Sequence, residues 1–315
     1  MELSQKKIST LLNKLPIEEK QILLEKLELL QEKKTREQAT VNYLDFVTEM
    51  WPAFIGGEHH KIMADAFERV ANGELKRLII NMPPRHTKSE FASNLFPAFY
   101  MGRHPKAKLI QTTHTGELAI RFGRKAKNMI ESSEYEKVFP EVTLAADSKA
   151  AGRWESNHGG EYFAAGVGGA ITGRGADLLI IDDPHSEQDA LSPAVLESHY
   201  EWYTSGPRQR LQPGGSIVVV MTRWSTKDLT GKLLEAQGKD SMADQWEVVE
   251  FPAIINDKPM WGNFWSMEGL QSVKASIPLT KWQAQWMQQP TSEEGALIKR
   301  EWWQEWEPED IPQLE

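Results

Sequence analysis

The amino-acid sequence predicts an α/β fold in which helices flank a mostly parallel β-sheet. Short apolar segments alternate with helical patterns, three of the apolar segments end in polar residues, and 40% of the 315 residues are hydrophobic. We predict strands at 77–82, 107–113, 161–165, 177–182, 215–221 and 246–251. We predict helices at 59–72, 88–101, 115–131, 192–204 and 226–237.

The chain divides into three predicted regions. Residues 1–38 form a helical arm, because leucine and isoleucine recur at three- and four-residue steps, with Pro16 separating two helices. The charged tract Gln31–Arg36 is expected to be a connector to the α/β domain at 39–255. After that domain, prolines and glycines interrupt the alternation. Residues 256–315 are therefore predicted to form a small subdomain and linker, with a helix near 279–288.

Composition and charge exclude several classes of protein. The chain has no cysteine, hence no disulfides or cysteine-based metal sites, and no apolar run approaches the roughly 20 residues of a membrane span. The N-terminus lacks the apolar core of a signal peptide, so a cytoplasmic protein is expected. A net charge of −9 argues against coating nucleic acid through bulk charge. Local DNA contact stays open beside the alternative of solvated surface residues; its candidates are Arg121, Arg124, Lys125, Lys127, Arg208 and Arg210.

The first strand with a polar end leads into a phosphate-binding loop, or P-loop. Leu78–Met82 is typical of a strand, and Lys88 and Ser89 open a helix whose N-terminal N–H groups favour an anion. In the pattern G-x-x-x-x-G-K-S/T, Met82 and Thr87 take the glycine positions. Lys88 would reach the β- and γ-phosphates of ATP, and the Ser89 hydroxyl would bind Mg²⁺. The alternative is an ordinary strand, turn and helix with an exposed lysine. The predicted ATP-binding residues are Pro84, Arg85, His86, Thr87, Lys88 and Ser89.

A second apolar run ends in two carboxylates, Asp182 and Asp183. Continuous apolar runs suit central parallel strands, and ligands bind at the carboxyl ends of such strands. Asp182 is therefore a candidate Mg²⁺ ligand, and Asp183 a candidate catalytic group that orients the attacking water. The alternative is that both only cap the following segment. The distance along the chain from Lys88 to Asp182 leaves room for intervening strands, as in RecA-like motors.

The third run, Ser216–Met221, ends in Thr222 and Arg223. In a nucleotide-driven motor, a hydroxyl at this position senses the γ-phosphate and couples hydrolysis to movement. Alone, this segment would be interpreted as a core strand with an exposed end. Three strands that each end in the required polar group, in order, favour the functional interpretation.

A glycine-rich stretch, Gly166–Gly175, precedes the second run and contains Arg174. So many glycines permit unusual backbone angles, so regular structure is not expected there. Arg174 is a candidate catalytic arginine that would reach the γ-phosphate of a neighbouring subunit. A mobile loop facing DNA is an equally good interpretation.

Together, these motifs resemble those of the large terminase subunit of tailed bacteriophages. The resemblance covers roughly residues 40–303; Arg121 and Arg124 lie in one of its segments, and Gln288 in another. The segments that carry it are 83–89, 116–124, 168–177, 180–184, 221–224 and 288–290. Arg85 matches an arginine common in that family's P-loop, whereas Thr87 and Asp183 depart from the family's small glycine and glutamate.

The resemblance implies a genome-packaging motor that binds ATP and Mg²⁺ and hydrolyses ATP to translocate double-stranded DNA into a procapsid. It implies the portal protein, the small terminase subunit and a homo-oligomeric ring as partners, a monomer in isolation, no membrane contact, and a place in the host cytoplasm at the portal vertex. It also implies that His59 and His60 frame the adenine pocket; a polar pair at a helix start is the alternative. The family's nuclease domain has no room before Glu315, so nuclease activity is not expected; a truncated fragment and a separate nuclease polypeptide both stay open.

Two other functions remain as alternatives. A catalytically weak module that binds nucleotide and docks on the portal would explain Thr87 and Asp183. A helicase-like ATPase would need a second RecA-like domain, and about 60 residues after the first are too few for one.

Overall fold

The structure, a computed structural model, describes residues 16–148 and 150–291 and confirms the predicted α/β architecture. Its main sheet has seven strands in the order β3-β4-β2-β5-β6-β1-β7. Every adjacent pair is parallel except β3 and β4. The strands are β1 (Arg77–Asn81), β2 (Lys108–Thr113), β3 (Arg153–Glu155), β4 (Glu161–Gly166), β5 (Ala176–Asp182), β6 (Leu211–Met221) and β7 (Glu247–Glu250).

All six predicted strands are present, but three short strands were not predicted. These are β3 and the antiparallel pair β8 (Ile254–Ile255) and β9 (Lys258–Pro259). Segments of two or three residues are too short to show a periodicity. Strand β6 also begins four residues before the prediction at 215, because its first part contains Pro213 and Gly214 and lacks an apolar pattern.

The five predicted helices of the α/β domain are also present. N-cap side chains that accept a backbone N–H begin most of the well-defined helices; Thr115, Ser192 and Asp228 are examples. The helices are Ile17–Ala39, Tyr43–Met50, Glu58–Ala71, Phe96–Arg103, Gly116–Ile130, Ser133–Val138, Pro193–Ser205, Leu229–Lys239, Met267–Ser276 and the short Leu279–Lys281; Glu90–Leu95 and Trp282–Trp286 are π-helical, and Asp189–Leu191 and Pro207–Arg210 are 3-10 turns.

Both faces of the sheet are buried. Alternate residues of the same strands pack on opposite sides, with Ile80 and Ile180 in one apolar cluster and Ile79 and Ile181 in the other. This is why the central strands consist of continuous apolar runs. Polar side chains that follow these strands can meet only at the carboxyl edge of the sheet, and that edge positions the candidate site.

The N-terminal arm is helical over its described part. One helix runs from Ile17 to Ala39, directly after Pro16 as predicted, and residues 1–15 lie outside the described part of the chain. The expectation that Gln31–Arg36 is a connector is wrong, because this tract lies inside the helix. Its side chains form i,i+4 ion pairs, Arg36 with Glu32 and Lys33 with Glu37, which favour the helical conformation.

At the other end, residues up to 291 form a small subdomain around a separate apolar cluster of Ala253, Leu270, Trp282 and Trp286. The predicted helix near 279–288 is present as Leu279–Lys281 and the π-helical turn that follows it. The linker expected after residue 291 lies outside the described residues. Within 16–148 and 150–291, no helix is both long and apolar enough to span a membrane.

The helix after the P-loop is tied to the Tyr43–Met50 helix by one buried hydrogen bond. The Tyr43 hydroxyl donates to the backbone oxygen of Phe91, within the π-helical turn, and Tyr43 is fully buried. We predict that Tyr43→Phe lowers the free energy of unfolding by about 1–2 kcal/mol, because a buried acceptor loses a donor. Urea denaturation monitored by circular dichroism measures this change.

Tyr203→Phe is the matched control, because the Tyr203 hydroxyl is also buried but has no hydrogen-bond partner. Its removal is expected to leave stability unchanged or slightly higher. Equal losses in both variants would show that the Tyr43 bond has no special role.

Candidate functional site

The carboxyl ends of β1, β5 and β6 converge on one place. Asn81 pairs in register with Met221, and Asp182 pairs with Val220, so the residues that follow these three strands lie side by side. The P-loop follows β1, and Asp183 follows β5 directly. The structure thus brings together the three motifs that the sequence predicts to be functional.

Lys88 occupies the centre of this site and is buried. Its Nζ atom donates to Thr222 Oγ1 over 2.9 Å and lies 3.0 Å from Asp183 Oδ2. Asp183 Oδ1 in turn accepts the backbone N–H of Thr222 over 2.8 Å, and the Thr222 hydroxyl donates to the oxygen of Met82. One network therefore links the P-loop and the ends of β5 and β6.

Asp182 lies beside this network with no exposed surface. The hydroxyls of Ser89 and Ser93 donate to its two carboxylate oxygens over 3.0 and 2.6 Å. Burial, and after it the charge of Asp183, raise the pKa of Asp182 above its usual range. A cation at this point would favour the ionised form, because opposite charge lowers a carboxyl pKa.

The donor set of Ser89 and Asp182 fits Mg²⁺ rather than a metal held by protein alone. Mg²⁺ takes oxygen ligands and is commonly bound by one or two carboxylates together with substrate phosphates. Among the described residues, no cluster of three or more His, Cys, Asp or Glu side chains could hold a metal. A Mg²⁺ ion here would need oxygens from a phosphorylated ligand and from water.

The P-loop backbone keeps a glycine-type conformation without glycine. Arg85 and Thr87 have φ angles of 60° and 72°, a region that β-branched side chains rarely adopt. The Thr87 hydroxyl donates to the oxygen of His86 and lies 2.8 Å from His60 Nε2, so hydrogen bonds hold the strained residue. Met82, at the other glycine position, is buried and donates its N–H to Met221. The exposed Arg85 guanidinium has no partner among the described residues.

Three buried histidines, His59, His60 and His86, support the loop from below. The rings of His59 and His60 lie 3.8 Å apart, and the His86 ring stacks on Trp265 at 5.8 Å. Burial lowers the pKa of His59 to about 4, of His60 to about 2 and of His86 to about 4. These rings are therefore neutral near pH 7, which suits a site surrounded by apolar groups.

An open cavity of about 400 Å³ adjoins this histidine cluster. His60 and Trp261 are among the residues that line it, together with the backbone of Gly57. A Cβ atom on Gly57 would come within 2.9 Å of the rings of His59 and Trp261, so the close packing requires glycine. The cavity has the aromatic and polar lining of a small-molecule pocket.

Beyond Thr222, Arg223 connects the site to the rest of the molecule. Its Nε atom lies 3.0 Å from the fully buried carboxylate of Asp228, and its N–H donates to Gln288 Oε1 over 3.1 Å. Asp228 caps the helix Leu229–Lys239, and Gln288 belongs to the small subdomain. A shift of Arg223 would therefore reach both elements.

His185 lies buried behind Asp183 and Pro184. Its Nε2 atom accepts the N–H of Leu229 over 2.9 Å, so the proton of the neutral ring is on Nδ1. That Nδ1 lies 2.8 Å from His199 Nδ1 on the helix Pro193–Ser205. His185 thus joins the segment after β5 to two helices.

Other sequence-predicted candidates lie away from this network. The Arg174 guanidinium covers the Phe163 ring at 3.8 Å and lies 3.8 Å from Glu161, at the amino-terminal end of β4. It therefore lies at the opposite edge of the sheet from Asp183 of the same chain. Of the basic candidates for DNA contact, Arg208 forms a 2.6 Å ion pair with Asp244.

Sequence reasoning missed Ser93, Asp228, His185 and Trp261 as site residues. Ser93 lies four residues after Ser89, so both face Asp182 from one side of a helical segment, a spacing that could have been noticed. The tryptophans after residue 260 were interpreted mainly as local packing. Trp282 does pack locally, but Trp261 and Trp265 contact the P-loop histidine cluster.

No protein-family model and no curated protein matches this sequence. Among solved structures, the HK97 bacteriophage large terminase is similar with a TM-score of 0.51 at 14% identity, over 76% of this chain and 52% of that protein. The Thermus phage P74-26 large terminase ATPase domain has a TM-score of 0.48 at 13% identity, over 77% of this chain and 96% of that domain. A large terminase from a thermophilic bacteriophage in complex with ADP has a TM-score of 0.46 at 12% identity, over 70% and 53%.

The similarity to the HK97 protein confirms the predicted fold: a mostly parallel sheet flanked by helices, the RecA-like fold of large terminase ATPase domains. The resemblance first noticed in the motifs thus extends to the three-dimensional structure. The chain spans about half the length of the HK97 protein.

The buried His185 predicts a stability that falls with acidity. Burial, partly offset by the charge of Asp228, lowers its pKa from 6.5 to about 4 in the folded protein. Between these values the unfolded chain binds a proton that the native protein does not. Native stability is therefore fully present above pH 6.5 and is lost as the pH falls towards 4, by up to about 1.4 kcal/mol per pH unit.

His185→Gln removes this titration, because the amide oxygen of glutamine can replace Nε2 as acceptor for the Leu229 N–H. We predict a shallower dependence of unfolding free energy on pH between 5 and 6, by about 1 kcal/mol per unit. Urea denaturation at several pH values measures the slope, and near-native stability at pH 8 controls for misfolding. Identical slopes for the variant and the parent would contradict the assignment.

Proposed function

We propose that this chain is the ATP-hydrolysing motor domain of a phage DNA-packaging terminase, which translocates double-stranded DNA into the procapsid. The observation that carries the proposal is the position of Lys88, between Asp183 and Thr222 at the carboxyl edge of a RecA-like sheet. Beside it, Ser89 and Asp182 present the hydroxyl and carboxylate that a nucleotide-bound Mg²⁺ requires.

In this proposal, the P-loop residues bind the ATP phosphates. Lys88 exchanges Asp183 and Thr222 for the β- and γ-phosphate oxygens, and the unpartnered Arg85 adds a second positive charge. Mg²⁺, held through Ser89 and Asp182, neutralises phosphate charge when bound. Once Lys88 turns away, Asp183 Oδ2 is free to orient the attacking water, while its Oδ1 stays fixed by the Thr222 N–H.

The adenine base is proposed to occupy the cavity beside His60 and Trp261. Neutral imidazole and indole rings offer apolar faces and single hydrogen-bonding groups, which suit a purine. His59 Nδ1 and Nε2, His60 Nδ1 and Trp261 Nε1 are buried without partners, so polar groups remain available there. A nucleoside analogue that fails to protect Trp261 fluorescence from quenching would argue against this placement.

Coupling of hydrolysis to movement is proposed to run through Thr222 and Arg223. Thr222 contacts Lys88 directly, and Arg223 contacts Asp228 and Gln288. Loss of the γ-phosphate would return Lys88 to Thr222 and so shift the end of β6. The two contacts of Arg223 would pass this shift to the helix Leu229–Lys239 and to the small subdomain.

The partners belong to the same proposal and rest on the resemblance. They are double-stranded DNA, the portal protein, the small terminase subunit and further copies in a ring, at the portal vertex in the host cytoplasm. Exposed basic residues such as Arg121 and Arg124 would contact DNA phosphates. DNA-stimulated ATP hydrolysis that is lost in Arg121→Ala with Arg124→Ala would support this contact; unchanged stimulation would remove it.

A weak nucleotide-binding module that docks on the portal is the second candidate. One observation favours it: both oxygens of Asp183 have partners, and its backbone φ is strained at 40°. The helicase-like alternative has less support, because the described residues contain one large parallel sheet rather than two. The rate of ATP turnover separates the motor from the docking module.

Arg174 is proposed to act on a neighbouring subunit, which requires its guanidinium to leave Phe163 and Glu161. We predict that Arg174→Ala lowers turnover in assembled rings without lowering nucleotide affinity in the monomer. Mixing Arg174→Ala with Lys88→Ala should restore part of the activity, because one subunit supplies the arginine and the other the intact P-loop. Mixed rings without restored activity would contradict a role between subunits.

We predict that Lys88→Ala lowers ATP turnover by roughly 100-fold or more, because it removes the charge that stabilises the transition state. Asp183→Asn should leave ATP affinity within a few-fold of the parent but lower kcat strongly, since it fails to orient the water. Phosphate release and binding of a fluorescent ATP analogue measure the two quantities.

Lys239→Ala is the matched control, because Lys239 is exposed and pairs only with Glu235. It should turn over ATP like the parent. Turnover by Lys88→Ala within a few-fold of the control would discard the P-loop assignment. Normal kcat in Asp183→Asn would assign the water to another group, but not to Glu187, which is exposed and paired with Lys281.

A further inference from the structure

The arm helix Ile17–Ala39 carries an apolar surface that the rest of the chain does not cover. Of its residues, only Ala39 is buried. Ile17, Leu24, Leu27 and Leu30 are each about half or more exposed. Such a concentration of exposed aliphatic side chains on one helix marks an interaction surface rather than ordinary surface leucines.

These residues form one stripe along the helix. The steps from Ile17 to Leu24, from Leu24 to Leu27 and from Leu27 to Leu30 are seven, three and three residues, and the half-buried Leu23 lies four before Leu27. This spacing is that of the apolar seam of a two-helix pair. Leu29 is equally exposed but lies on the opposite side of the helix, outside this arm stripe.

The charges of the arm differ between its two halves. The first half, 17–28, has four glutamates and two lysines, whereas the second half, 29–39, has three basic residues and two glutamates. Two arms side by side in the same direction would place like charges together. An antiparallel pair places Glu18 and Glu19 of one copy near Lys33 and Lys34 of the other.

The free length of the arm fits the same arrangement. Residues 31–34 are exposed, and burial against the body begins at Thr35 and Arg36. If Leu24 of one copy lies opposite Leu27 of the other, residue 17 lies opposite residue 34. The two arms then overlap over their whole exposed part, and each ends just before the body of its partner. The overlap of about 18 residues is about 27 Å long.

We propose that the arm stripe binds the same stripe of a second copy of this chain as an antiparallel helix pair. The contact is two-fold symmetric, so it differs from the head-to-tail contacts that close a ring. It does not depend on nucleotide chemistry. It gives this chain a dimer contact in addition to any contact made by the α/β domain.

Sedimentation velocity of the full chain at increasing concentration tests the proposal. The parent protein is expected to pass from monomer to dimer, because a contact of this size is at the small end of stable interfaces. Leu24→Glu combined with Leu27→Glu should give a monomer at every concentration. Leu29→Glu is the matched control and should still dimerise, since its side chain lies outside the stripe. Circular dichroism confirms that both variants are folded.

A charge exchange tests the direction of the helices. Glu18→Lys with Glu19→Lys, and Lys33→Glu with Lys34→Glu, should each dimerise less than the parent, and a mixture of the two variants should recover dimers. A parent that stays monomeric at all concentrations overturns the proposal, as it would if residues 1–15 or a different protein cover the stripe. Dimers that persist in the Leu24 and Leu27 variant overturn it as well. Charge variants that dimerise alone as well as the parent rule out the antiparallel arrangement.

Discussion

The burial of the Lys88 ammonium group is the constraint on which the site depends. A buried charge is costly unless it is paired and hydrogen-bonded. Asp183 and Thr222 meet this requirement, and they come from the ends of β5 and β6, far from Lys88 in the sequence. The network can form only if β1, β5 and β6 are in register, so the sheet topology and the position of the lysine are coupled.

The same constraint explains features that seem unfavourable locally. Thr87 has a strained backbone, and Asp182 has a raised pKa in a fully buried position. Both groups are held by neighbours: His60 contacts the Thr87 hydroxyl, and two serine hydroxyls donate to Asp182. Strain and perturbed titration concentrated at one edge of the sheet are typical of a functional site rather than of a structural core.

Much of the fold and half of the site could be predicted from sequence. Strands such as Ala176–Asp182 are strongly apolar and end in charged residues, so both their existence and their functional ends are visible locally. Ser93, Asp228, His185 and Gln288 could not be found this way, because their roles arise only when distant segments meet. The connector expected in the arm was wrong because a charged tract can be helical when its charges alternate in sign.

The most direct test of this account is a crystal structure with Mg²⁺ and a slowly hydrolysed ATP analogue. The account predicts the terminal phosphates within hydrogen-bonding distance of Lys88 Nζ and the metal between Ser89 Oγ and Asp182. It also predicts the base beside Trp261. A nucleotide bound elsewhere on the protein, or a structure in which Lys88 keeps Asp183 and Thr222 as its partners despite bound nucleotide, would contradict it.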